Sequence, residues 1–263
     1  MARLSCASGT VELRLRNNFG VPEAQLAGTG GATRPGGVRV WVRPGSVGRT
    51  MGLYSSVGVF VCFEGGDGSG KSTQSRALDE WLEGEGYGVR LTFEPGDTEV
   101  GKILRDIVLS PSTGQLSDRT ESLLYAADKA EHIRQVVQPA LDRGEVVITD
   151  RYVDSMLAYQ GVGRPLDVDE VEHVARWATH DLRPHLTVVL DLEASAGLGR
   201  FEARDRIEGE SVEFHERVRQ AYLGFAAADP DHYLVVDARL PVGVIAAIVQ
   251  DAVRPLLTQA KKQ

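Results

Sequence analysis

From residue 57 onward the chain alternates short apolar runs with longer stretches whose apolar residues recur at helical spacing. Runs at 57–63, 89–93, 146–149, 186–192 and 233–236 read as strands, and helical spacing predicts helices over 73–83, 100–109, 119–141, 169–179, 212–228 and 242–257. Val146-Val147-Ile148 and Val188-Val189-Leu190 are apolar on both faces, as a strand buried between two helix layers requires. Strand and helix in alternation predict an α/β fold, a parallel β-sheet core flanked by helices. Ligands of such sheets bind beyond the carboxyl ends of the strands, so the residues following each strand are where chemistry is expected.

Residues 1–56 break the pattern. Alternation at 11–16 and 38–43 permits two short strands, but glycine-rich connections such as 28–31 and Arg34-Pro35-Gly36-Gly37 leave little to bury. The charge divides at the same place. Residues 1–56 carry seven arginines against Glu12 and Glu23, net +5, whereas 57–263 carry 22 basic and 35 acidic side chains, net −13. The first ten residues lack the apolar core of a secretory signal, and the arginine-rich composition lacks the amphipathic helix of an organellar transit peptide. Met51 stands just before the first strand, and 24 arginines against five lysines suggest a GC-rich gene. The expected organisation is therefore an N-terminal extension over 1–56, disordered or a mis-assigned start, and one domain over 57–263.

Over the whole chain of 263 residues, no stretch approaches the 18 apolar residues of a membrane span. Two cysteines, Cys6 and Cys62, cannot make a disulfide scaffold, which points to a reducing cytoplasm. A net charge of −8 argues against a dedicated nucleic-acid binder. The six histidines show no spacing that would ligate zinc.

Directly after the first strand comes Gly65-Gly66-Asp67-Gly68-Ser69-Gly70-Lys71-Ser72-Thr73, followed by helical sequence. This matches the phosphate-binding pattern G-x-x-x-x-G-K-[ST] in the strand–loop–helix context that gives it meaning. Glycines let successive backbone N–H groups converge on phosphate oxygens, and the helix adds its positive dipole end. Lys71 would reach the β- and γ-phosphates of ATP, and Ser72 would ligate Mg²⁺. A GTPase base reader, Asn or Thr followed by Lys-x-Asp, is missing: the only asparagines are Asn17 and Asn18, and neither precedes a lysine. A compact chain of this kind favours a small-molecule kinase.

Further blocks sharpen the reading. Phe63 to Gln74, then Glu94-Pro95-Gly96-Asp97-Thr98, Asp150-Arg151-Tyr152, Ala158-Tyr159-Gln160-Gly161 and Asp205-Arg206-Ile207-Glu208 occur in an order that resembles the bacterial thymidylate kinase family, from about residue 57 to the C-terminus. The resemblance implies a P-loop nucleoside-monophosphate kinase fold that phosphorylates dTMP to dTDP with ATP and Mg²⁺, usually as a homodimer. It implies that Asp67 contacts the acceptor, the other reading being a turn-forming aspartate. Asp150 would act on the Mg²⁺ shell or orient Arg151, and Arg151 would bridge donor and acceptor phosphates with its planar fork, unless the two are a structural ion pair.

Tyr125 matches the aromatic that stacks on thymine, although an aromatic at helical spacing also fits a core position. Lys129 shares its helix face and stands where the family usually has an arginine that reads the base; lysine keeps the charge and loses the fork. Tyr159 and Gln160 would flank the deoxyribose and base, and Arg105 is a candidate for the acceptor phosphate. The segment 200–208 resembles a lid whose Arg204 and Arg206 would neutralise the transferring phosphoryl group, or else it is a solvated charged helix face. Other departures from the family pattern are Phe93 in place of an arginine, Asp97 in place of a glycine and Met156 in place of a polar residue. The alternatives to dTMP kinase are another deoxynucleotide or nucleoside kinase on this fold, or a non-catalytic ATP-binding switch module.

Overall fold

The computed structural model describes residues 57–199 and 205–260. The N-terminal extension, where the sequence permits two short strands, and the lid candidate Arg204 lie outside the described residues.

Five strands form one parallel sheet: β1 (Val59–Glu64), β2 (Val89–Phe93), β3 (Val146–Asp150), β4 (Leu186–Asp191) and β5 (Tyr233–Asp237), in the spatial order β2-β3-β1-β4-β5. The α-helices are α1 (Lys71–Gly84), α2 (Glu99–Leu109), α3 (Asp118–His132), α4 (Gln138–Arg143), α5 (Val153–Met156), α6 (Val168–Thr179), α7 (Ala194–Leu198), α8 (Val212–Ala228) and α9 (Val242–Val253).

The run-on hydrophobicity of β1 follows from its central place. Val59, Val61 and Phe63 pack into a core with Leu78 and Leu82 of α1 and Val249 of α9. Phe60 and Cys62, pointing the other way, pack with Ile133, Val137 and Leu141 on the opposite face. Both faces are dry, so alternation disappears from the sequence.

Two predicted helices are shorter than their periodicity. The helix expected over 119–141 is divided by a π-helical turn, Ile133–Val137, ahead of α4. Pro139 is the cause: it has no N–H to donate, and its ring would strike the carbonyl one turn earlier, so the backbone widens before it. Pro255 acts likewise at the end of α9, where the last turn tightens into a 3₁₀ helix, Arg254–Gln259.

The registers set the height of the site. Phe63 of β1 and Phe93 of β2 both stand opposite Asp150 of β3. The ladder runs on past the strands, with Arg151 N donating to the Phe63 carbonyl at 2.9 Å and Glu94 N to the Asp150 carbonyl at 3.0 Å. Glu64, Glu94 and Arg151 therefore emerge at one level on the carboxyl edge.

Candidate active site

The phosphate loop runs from Gly65 to Gly70 into the N-terminus of α1. Gly65, Gly68 and Gly70 have φ of 131°, 73° and 94°, a region that side chains rarely adopt, so the sequence pattern is a conformational requirement. Lys71 Nζ crosses the loop and donates to the carbonyls of Gly66 at 2.9 Å and Gly65 at 3.1 Å. Burial and the neighbouring Arg151 pull its ammonium below the usual lysine range. Ser72 Oγ donates to Asp150 Oδ2 at 2.5 Å, bringing the two expected Mg²⁺ ligands together at the loop's mouth. Their hard oxygens suit that ion. Ser69 is buried within the loop and Thr73 is exposed on the first turn of α1.

Arg151 follows β3 in the left-handed region, φ 72°, a strained conformation for a residue with a side chain. The strain aims the guanidinium back at the loop, where it pairs with Asp67 and lies 5.2 Å from the Tyr159 ring centroid. Tyr159 donates its hydroxyl to the other Asp67 oxygen at 2.9 Å. Burial pushes the Asp67 carboxyl up, but Arg151 and Lys71 outweigh it and hold the group below the usual carboxylate range. Asp67, Arg151 and Tyr159, singled out separately from the sequence, thus form one triangle beside Lys71.

A residue the sequence reading passed over holds this arrangement. Glu64, fully buried at the end of β1, accepts from the backbone N–H groups of Tyr152 at 2.9 Å and Ser155 at 3.0 Å through Oε1. Its Oε2 accepts from Ser155 Oγ at 2.7 Å and Tyr222 Oη at 2.9 Å. A carboxylate closing a wholly apolar strand was the available signal. Tyr222 on α8 had none, because its contact with Glu64 spans the fold.

On the acceptor side Glu94 is also buried, paired with Lys129 through Oε2 and bonded to His132 Nδ1 through Oε1 at 2.7 Å. Burial pushes its carboxyl up, yet Lys129 and His132 keep it below the usual range. Lys129 Nζ also lies 5.7 Å from the Tyr152 ring centroid. Pro95 gives its carbonyl to Arg105 Nη1 at 2.7 Å, so Arg105 braces the Glu94-Pro95 turn. Tyr125 is half-buried on α3 beside the cluster of Ala126, Met156 and Leu157, which serves the core reading as well as the stacking one.

Two candidates meet at one buried carboxylate, Glu121. Gln160 donates its amide to Glu121 at 2.9 Å and is buried with it. Arg206 pairs with the same Glu121 at 2.6 Å and gives its Nε to the Val108 carbonyl at 2.8 Å. In this conformation a buried carboxylate, which Arg164 also contacts at 3.1 Å, holds Arg206. Glu121 and Arg164 carried no motif in the sequence.

The parallel sheet, the loop around Lys71 and the Ser72–Asp150 pair define a phosphate-loop nucleotide kinase of the nucleoside-monophosphate kinase type. The comparisons narrow this. The family model for thymidylate kinase matches residues 63–248. Thymidylate kinase of Cutibacterium acnes is 52% identical over 202 residues, which cover 77% of this chain and 99% of that one. That of Clavibacter michiganensis subsp. michiganensis is 52% identical over 204 residues, covering 76% and 96%. A crystal structure of thymidylate kinase from Ehrlichia chaffeensis superposes with a TM-score of 0.61 at 28% identity, over 74% of this chain and 98% of that one. The chain belongs to the thymidylate kinase family.

Proposed function

We propose that the chain phosphorylates dTMP to dTDP, a step toward dTTP, with Mg²⁺–ATP as donor. The observation that carries this reading is the placing of Lys71, Arg151 and the Ser72–Asp150 pair around one glycine loop in a member of this family. Residues 65–73 would cradle the donor phosphates. Ser72 and Asp150 would hold Mg²⁺, which when bound neutralises phosphate charge. The acceptor lies between the Glu94-Pro95 turn and α3, with Asp67 and Tyr159 at its sugar and phosphate end and Lys129 and Tyr125 at its base. Its phosphate is already an anion and a competent nucleophile, so no strong base is needed. Arg151 supplies cationic stabilisation as charge shifts between the phosphates, with lid residues such as Arg204 as a second source.

We further infer a homodimer free in the cytoplasm, with neither nucleic acid nor membrane as partner. In support of the dimer, the neighbouring helices α2, α3 and α6 expose Val100, Ile103, Leu123 and Trp177, the last at 81%. Among the described residues no helix is long and apolar enough to cross a membrane.

The test is ADP release coupled to a reporter reaction, with dTMP, dUMP, dCMP and dGMP offered in turn. Turnover with dTMP in preference to the others is expected, and Lys71→Ala should abolish it while leaving circular dichroism unchanged. Nucleotide binding without turnover of any acceptor would favour the switch-module reading instead.

A further inference from the structure

Two of the departures from the family pattern noted above lie at opposite ends of one chain of hydrogen bonds. Asp97, where a glycine is usual, accepts from Arg90 Nη2 at 2.9 Å and from Thr92 Oγ1 at 2.6 Å on the same oxygen. Thr92 Oγ1 lies 2.6 Å from His132 Nε2, His132 Nδ1 lies 2.7 Å from Glu94 Oε1, and Glu94 Oε2 holds Lys129, where an arginine is usual. Thr92, Glu94, Lys129 and His132 are each at most 3% exposed. The chain thus connects a half-exposed surface pair to the buried cation nearest the acceptor's base.

Thr92 Oγ1 stands between the Asp97 carboxylate and His132 Nε2, and His132 Nδ1 faces Glu94 Oε1, so both ring nitrogens are engaged and the ring is fixed from either side. The charged groups around the ring are Glu94 from the β2–α2 turn, Lys129 and Asp128 from α3, and Asp97 with Arg90 at the far end.

We propose that Asp97, Thr92 and His132 are positioning residues that grip Glu94 by Oε1 so that Oε2 stays on Lys129, and that the aspartate at 97 compensates for the lysine at 129. An arginine could take both oxygens of Glu94 with its fork and fix the carboxylate alone. A lysine presents a single point of charge and leaves the second oxygen to be held by something else. Here His132 holds it, and Asp97 orients His132 through Thr92. Lys129 spends one donor on Glu94 and keeps others for a carbonyl at C4 of a pyrimidine, the position where cytosine carries an amino group instead. The proposal rests on the dTMP kinase reading and deepens it.

The test is a double-mutant cycle with Asp97→Gly, Lys129→Arg and both, reading KM for dTMP and kcat separately. Asp97→Gly alone should raise KM about tenfold with kcat within about twofold, and in the Lys129→Arg background it should change KM less than about twofold. Thr92→Val should reproduce the effect of Asp97→Gly, and Thr92→Ser, which keeps the hydroxyl, should restore the wild-type KM. Equal effects of Asp97→Gly in both backgrounds, or no effect in either, would overturn the proposal. A wild-type chain that does not turn over dTMP would instead sink the functional reading, and the same cycle read on the Kd for dTMP by calorimetry would still decide the support.

Discussion

Removing Glu64 tests whether the arginine turn is held by hydrogen bonds to its backbone or by charge. In Glu64→Ala the N–H groups of Tyr152 and Ser155 lose the Glu64 oxygen that accepts from both, at about 1–3 kcal/mol each when buried. The hydroxyls of Ser155 and Tyr222 lose less, because they lie 2.9 Å apart and bond each other. The one lost methylene adds about 0.8 kcal/mol, while relief from burying a carboxylate gives part of this back. A net loss of about 3–5 kcal/mol is expected. In Glu64→Gln the amide oxygen can keep both N–H groups, and its NH₂ meets hydroxyls free to turn and accept, so the expected loss is about 1 kcal/mol. Urea unfolding followed by circular dichroism measures both. Arg151 is strained at φ 72°, and freeing the turn in Glu64→Ala lets it relax, so kcat should fall about tenfold for each 1.4 kcal/mol released. Equal stability losses in the two variants would refute the reasoning, since they would show that charge rather than backbone satisfaction is what Glu64 supplies.

Gly197 of α7 lies against the phosphate loop: a Cβ there would sit inside van der Waals contact of the Asp67 carbonyl, and one on Gly68 would come within 2.5 Å of the Gly197 carbonyl. Gly197→Ala should weaken ADP binding about tenfold or more in calorimetry while costing only about 1–3 kcal/mol in unfolding, and unchanged binding would show that the loop does not depend on α7. Asp128, buried beside Glu94 with Oδ2 unpartnered among the described residues, is pushed up to about 6 by burial and then by Glu94. The native state therefore holds its proton between about pH 4 and 6 where the unfolded chain releases it, and stability falls as pH rises through that window, by about 3 kcal/mol, then levels off. Asp128→Asn should lack this slope, so unfolding midpoints of the two proteins should diverge from pH 4 to 6 and run parallel above; parallel curves throughout would contradict the shift.

The parts of the fold visible in the sequence were those with local causes. Runs such as Val146-Val147-Ile148 announced buried strands, and the glycines at 65, 68 and 70 announced a loop that only glycine can form. The break in the long helix was present as Pro139, but periodicity outvoted it, because apolar spacing continues through the π-helical turn. The short helix α5 and the π-helical turn Leu157–Gly163 after it left no periodic trace, being too brief to show a face. In the site, motif residues were legible and their holders were not. Asp67, Arg151 and Tyr159 could be named one by one, whereas Glu64, Glu121, His132 and Tyr222 gain their roles from partners 38 to 158 positions away. His132 looked like one scattered histidine among six because its partners, Thr92 and Glu94, sit on another strand edge.

The state of Arg206 bears on where the cationic charge for phosphoryl transfer comes from. Glu121 is 1% exposed, and burial alone would push its carboxyl up, yet Arg164, Gln160 and Arg206 hold it below the usual range. Withdrawing Arg206 would leave Arg164 to serve both Glu121 and Glu210, two carboxylates on one guanidinium, with one of them buried. Breaking a buried pair in this way costs about 3–5 kcal/mol, far more than an exposed ion pair contributes. Arg206 also gives its backbone N–H to the Leu109 carbonyl at 2.9 Å, so moving it detaches the segment after 204 from the end of α2. Arg206 in this position ties the residues after 204 to α2 and to Glu121. The cations facing the loop among the described residues are Lys71 and Arg151, with the carboxylates of Asp67, Asp150 and Glu64 around them, so an acidic domain meets phosphate groups here with two placed donors rather than with net positive charge.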